Sequence, residues 1–161
     1  MGSEGQAEYL AQMEVYNLIK SGEVNLIAVI GDGAIPGLAK VLEMGRYWEK
    51  TLAISALRYI GSSKALRLLK KVMHSPEMGL RKEAVIAVEG LDGKGIDSEL
   101  ENVAKRDIPY VASIANRVLE TRKSRPPAEK KKFRIPKPKK GRGQPDNFGN
   151  LKPVGRGIIA R

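Results

Sequence analysis

The sequence predicts an all-α protein: a short stack of helical hairpins followed by an extended basic tail. Three observations predict it. The first is a period. Ala53-Ile54-Ser55-Ala56-Leu57-Arg58-Tyr59-Ile60 aligns with Ala84-Val85-Ile86-Ala87-Val88-Glu89-Gly90-Leu91 at an offset of 31, and every apolar position of the first string is matched except Tyr59, which falls over Gly90. Ala65, Leu69, Val72 and Met73 then fall over Ile96, Leu100, Val103 and Ala104. A fixed period in this range marks stacked supersecondary units. The second is helical spacing of apolar residues between short Gly, Pro and Asp turns. The third is a split in charge. Residues 1 to 121 carry 15 Lys+Arg against 16 Asp+Glu, whereas residues 122 to 161 carry 14 against 2.

Taken in order, Ala7 to Lys20 reads as an amphipathic helix with Tyr9, Leu10, Met13, Tyr16, Leu18 and Ile19 near helical spacing, stopped by Ser21-Gly22. Glu23 to Ile30 is a short second helix, closed by Gly31-Asp32-Gly33. The next opens at Ile35, with Pro36 in its first turn, where a missing N–H costs nothing. It runs to Met44-Gly45. Tyr47 to Ile60 follows, ended by Gly61; Ser62 or Ser63 caps a helix reaching about Met73. Ser75-Pro76 breaks the chain. Met78 to Gly90, Ile96 to Arg106 and Ile108 to Thr121 complete the helical part. Trp48 and Tyr110 lie two periods apart, each opening an outer helix, and Trp48 reads as a repeat-core residue.

The strings Ile30-Gly31-Asp32-Gly33-Ala34-Ile35-Pro36-Gly37-Leu38 and Ala56-Leu57-Arg58-Tyr59-Ile60-Gly61 carry a resemblance. A helix ending in Ile-Gly, a turn, then Ala-Ile-Pro-x-Leu is similar to the short HEAT-like repeats of the phycobilin-lyase type. The resemblance covers about residues 25–121 and implies a HEAT-like helical-hairpin solenoid. On that basis residues 1–122 form one repeat domain, an N-terminal capping helix plus about three and a half repeats. Each hairpin has an apolar face that only its neighbours can bury. The repeat is a scaffold with many uses, so it implies a fold more than an activity.

Chemistry-bearing residues are scarce. With no cysteine and one histidine, His74, thiolate metal sites, disulfides and thiol nucleophiles are excluded. The His-Glu pairs of HEAT-like di-iron hydroxylases do not occur, and one tryptophan does not make the aromatic cage of HEAT-like DNA glycosylases. Gly31-Asp32-Gly33 and Gly93-Lys94-Gly95 read as inter-helix turns, because neither follows a strand and the first lacks a Lys-Ser/Thr pair. The chain is expected not to be an enzyme and to need no cofactor, metal or small-molecule substrate. The N-terminus shows no secretory signal, and no stretch is read as approaching the roughly 20 apolar residues of a membrane span. A cytoplasmic address is the expectation.

Two basic features remain. Lys64, Arg67, Lys70 and Lys71 lie opposite Ala65, Leu66, Leu69, Val72 and Met73 on one helix; this face is either solvated or paired with the acidic row Asp97, Glu99, Glu101, or it contacts a ligand. The tail, residues 123–161, holds six of the nine prolines and is expected to be disordered when free. Lys130, Lys131, Lys132, Phe133, Arg134, Ile135, Lys137, Lys139, Lys140 and Arg142 form a basic run interrupted by apolar residues. Phe148, Leu151, Arg156, Ile158 and Ile159 follow as spaced anchors among glycine and proline. Phosphates would release counterions on such a run. Spaced apolar anchors suit a docking peptide. The expected function is a non-catalytic adaptor or accessory subunit of a protein assembly. The alternative is an RNA- or DNA-binding protein.

Overall fold

The computed structural model describes residues 3–126. Among them it is all-helical, with eight α-helices, one 3-10 turn and no strand. The helices are α1 (Ser3–Ser21), α2 (Val24–Ile30), α3 (Ile35–Met44), α4 (Tyr47–Ile60), α5 (Ser63–Val72), α6 (Met78–Ala87), α7 (Ile96–Arg106) and α8 (Pro109–Ser124); the 3-10 turn is Gly31–Ala34. Three boundaries differ from expectation. α1 starts earlier, at Ser3. α6 stops at Ala87, and Val88 to Gly90 form a turn. α8 continues to Ser124, because Arg122 and Arg125 are held by the body.

The helix ends obey local rules. Gly61 takes φ 59° at the α4 C-terminus, and Gly95 takes φ 77° before α7, a region where a Cβ is costly. The Ser62 hydroxyl accepts from the Ala65 N–H at 3.1 Å, capping α5. Glu49 returns to accept from the Arg46 N–H at 2.7 Å at the start of α4. It is the buried charged side chain among the described residues, and the Tyr16 hydroxyl donates to it at 3.5 Å.

Packing follows connectivity. α2, α4, α6 and α8 contact one another in succession, while α1, α3 and α5 form a second row. α7 packs on α8. Between the rows lies one core of small aliphatics, including Ile27, Leu38, Ile54, Leu57, Leu69, Val85, Leu100 and Val118. Ala53, Ala56, Ala84 and Ala87 are all buried, as expected for helices that must approach closely. Gly37 serves the same end: a Cβ there would lie 2.8 Å from Val15 Cβ, so α3 meets α1 backbone to side chain.

Two expectations fail here. Trp48 is 43% exposed, not a core residue, because the N-terminal turn of α4 lies at the edge of the stack. And Val24–Met44 is long and apolar enough to pass for a membrane span by composition, with mean hydropathy 1.4. In the fold this run is broken at Gly31, where φ is 68°, and Ile27, Ala28, Ala34, Leu38 and Val41 join the common core.

Two ion pairs between successive helices recur at a spacing of about 31 residues. Lys50 on α4 reaches Glu77, just before α6, at 2.8 Å. One period on, Arg81 on α6 reaches Asp107, just before α8, with two bonds of 2.7 and 2.8 Å. Arg81 also donates to the carbonyls of Ser75 and Pro76. The Arg81 guanidinium and the Ile108 N–H hold the Asp107 carboxyl below its ordinary value, with burial opposing. Arg122 performs a related task, donating to Asp97 and to the carbonyls of Val88 and Leu91 in the turn after α6; the Val88 carbonyl also accepts from the Leu91 N–H at 3.1 Å.

Candidate functional site

α5 positions the predicted basic face. Its buried residues Ala65, Leu66, Leu69 and Val72 turn Lys64, Arg67 and Lys71 outward. The four basic residues meet different fates. Lys64 stands 3.8 Å from Asp32, in the turn before α3. Lys70 bends away and donates to the Lys94 carbonyl at 2.7 Å. Arg67 and Lys71, one turn apart, make no hydrogen bond or ion pair among the described residues. The acidic row on α7 does not neutralise them. Asp97 is taken by Arg122 and Glu99 by His74. Asp97 and Glu99 are therefore engaged by Arg122 and by the His74 imidazole, and not by the α5 lysines.

Arg67 and Lys71 overlook a trough. Hollows of about 420, 490 and 450 Å³ adjoin one another along the α3, α5 and α7 side. The first two share Ala39, Leu68 and Lys71; the second and third share His74 and Ser75. Ile35, Pro36, Ala39, Leu42 and Leu68 give the first part an apolar floor, and Lys64, Arg67 and Lys71 its cationic rim. The far part is more polar, with Arg81, Asn102, Arg106 and Asp107. Among the described residues the lining holds no Tyr, Trp or Phe, and its one aromatic ring is the His74 imidazole. An apolar floor beside unpaired cations has the chemistry that suits a segment with apolar anchors and acidic groups.

A second surface was missed from sequence. Met44, Tyr47, Trp48, Met78, Ile108 and Tyr110 are exposed at the turns that open α4, α6 and α8. The Tyr47 ring lies over Gly79: a Cβ there would overlap its hydroxyl and stand 3.0 Å from two ring carbons. Lys82, paired with Glu83 at 2.9 Å, lies close enough to Tyr110 and Tyr47 to feel both phenols. Its ammonium is held above the usual lysine value, chiefly by Glu83. The 62-residue spacing of Trp48 and Tyr110 was the available signal; it marked a repeated edge position.

The predicted tail residues, Lys130 to Arg142 together with Phe148, Leu151, Arg156, Ile158 and Ile159, lie outside the described residues. No group of three or more His, Asp or Glu side chains is placed to hold a metal among the described residues. Fold and surface together define an all-helical protein with a cation-rimmed apolar trough. No protein-family model matches the chain, and no curated protein or solved structure matches it.

Proposed function

We propose that this chain is a short HEAT-like solenoid acting as a non-catalytic adaptor or accessory subunit. In this reading the trough takes an acidic, apolar-anchored segment of a partner, and the basic tail engages the same assembly. The observation that carries it is the unpaired Arg67 and Lys71 above the floor of Ile35, Ala39 and Leu68. Cations without intramolecular partners are available to a ligand at no cost in broken ion pairs. The floor supplies the apolar contact that fixes such a ligand in place.

A second reading has one observation of its own. The excess charge beyond residue 121, 14 Lys+Arg against 2 Asp+Glu, suits phosphate neutralisation by RNA or DNA.

Capture of partners from native extract separates the two. The full chain is compared with an Arg67→Glu/Lys71→Glu variant and with a chain ending at Pro126, which keeps the Arg122 and Arg125 contacts. A protein partner survives nuclease and is weakened by both changes. Loss of all capture on nuclease treatment supports the nucleic-acid reading. Undiminished capture by both variants rejects the adaptor reading.

A further inference from the structure

The two ends of the helical stack are finished differently. On α8, beyond its first turn, the exposed residues are polar: Ser113, Asn116, Arg117, Glu120, Thr121, Lys123 and Ser124. The opposite end is apolar. α1 was expected to cap it, yet no residue from Gly5 to Glu14 is buried, and burial begins only at Val15. The N-terminal half of α1 therefore overhangs the body by about 15 Å at 1.5 Å per residue. Tyr9, Leu10 and Met13 on this overhang are 63%, 66% and 39% exposed. α2 packs beside α1 and presents Leu26, Val29 and Ile30, at i, i+3 and i+4, which are 49%, 67% and 40% exposed. Its other face, Ile27 and Ala28, is buried in the core.

We propose that the α1–α2 end is the interface of a two-fold homodimer, occupied by a second copy of this chain. Area is the first argument. Six exposed apolar side chains offer on the order of 600 Å² per copy, against roughly 800 Å² per partner in a standard interface, before any flanking polar surface is counted. Patches of this size on a monomer mark an interaction site. Shape is the second. Each chain carries both an overhanging apolar helix and an apolar shelf on α2, so a two-fold axis lays each overhang on the other copy's shelf. Such a contact closes on itself and stops at two copies. Beyond its first turn α8 gives a head-to-tail filament no apolar counterpart, and the exposed Ile108 and Tyr110 lie only at its N-terminal edge.

Charge sets the salt dependence. Each copy carries a formal net charge of +11, so two copies repel one another. Added salt screens that repulsion and leaves apolar contact intact. Dimerisation strengthens with moderate salt, the opposite of binding to nucleic acid.

Sedimentation velocity of the full chain over a wide micromolar range tests the proposal. The wild-type chain is expected to move from monomer to dimer and no further. Leu10→Glu/Val29→Glu, at exposed positions, is expected to weaken the dimer by about a hundredfold or more, with unchanged helical circular dichroism. Because the chain has no cysteine, Met13→Cys or Val29→Cys can be joined by a short bis-maleimide, with Asn116→Cys at the far end as control. Covalent dimers from the first two but not from the control support the two-fold interface. A wild-type chain that stays monomeric overturns it, as does cross-linking of the control equal to that of Met13→Cys. Binding to neutral vesicles by a chain that stays monomeric without them also overturns it, in favour of a lipid surface.

Discussion

Arg81→Met tests what ties α6 to the start of α8. Methionine keeps most of the aliphatic length and removes the guanidinium. Four hydrogen bonds go: two to Asp107 at 2.7 and 2.8 Å, and one each to the carbonyls of Ser75 and Pro76 at 3.0 and 3.1 Å. Water can replace the contact at Pro76, which lies at the surface. It replaces the Asp107 contacts poorly, because the two side chains are only 16% and 9% exposed. Asp107 is left with the Ile108 N–H at 2.7 Å. A bidentate charged pair this sheltered exceeds the 0–1 kcal/mol of an exposed ion pair. It falls short of the 3–5 kcal/mol for orphaning a fully buried charge. The expected loss is about 2–3 kcal/mol, from a total stability on the order of 5–15 kcal/mol. That lowers Tm by about 10 °C for a folded region of this size. Urea denaturation followed by circular dichroism measures it, and a cycle with Asp107→Asn isolates the pairwise part. A loss below about 0.5 kcal/mol would refute the reasoning, since the pair would then behave as surface decoration.

The same pair sets an acid limit. Asp107 is depressed in the folded state by Arg81, so its contribution is whole above the ordinary carboxylate value near 3.8 and is lost as pH falls through the lower folded value. Stability measured below about pH 4 should fall less steeply in Asp107→Asn than in the wild type. Two glycines should respond in opposite ways. Gly37→Ala forces a Cβ against Val15 at 2.8 Å and should cost about 1–3 kcal/mol despite the better helix propensity of alanine. Gly90→Ala meets nothing within 4 Å and should stabilise by about 0.5–1 kcal/mol in thermal melts. Trp48, the single tryptophan, is 43% exposed; its emission should be red-shifted and readily quenched by acrylamide, and a blue-shifted, protected signal would contradict the edge position.

Much of the helical part was legible in the sequence for local reasons. Gly61 and the Ser75-Pro76 break stop helices by backbone preference, and Ser62 starts one by hydrogen bonding, so those boundaries needed no tertiary information. The period identified Ala53, Ala56, Ala84 and Ala87 as close-packing positions, since small residues recur where backbones approach. Trp48 was misplaced because size and recurrence do not say which side of a helix end the stack covers. The Arg81 to Asp107 pair spans 26 residues and was not anticipated, although Lys50 to Glu77 repeats it one period earlier. The split among Lys64, Arg67, Lys70 and Lys71 was illegible for a different reason. Helical phase places all four on one face, but the Lys94 carbonyl and Asp32 that draw two of them away come from other turns.

Arg125 donates to the Glu89 carbonyl at 3.0 Å, and Arg122 grips the same turn. The last described residues are thereby anchored to the body, and the remaining chain starts from a defined point beside the α6–α7 turn. A linker that left from a frayed helix end would search a larger volume. If the proposed adaptor role holds, a partner seated on the body would meet the following segment at an effective concentration on the order of millimolar. Two weak contacts would then act as one tight contact. Replacing Arg122 and Arg125 would erode that avidity without altering either contact surface.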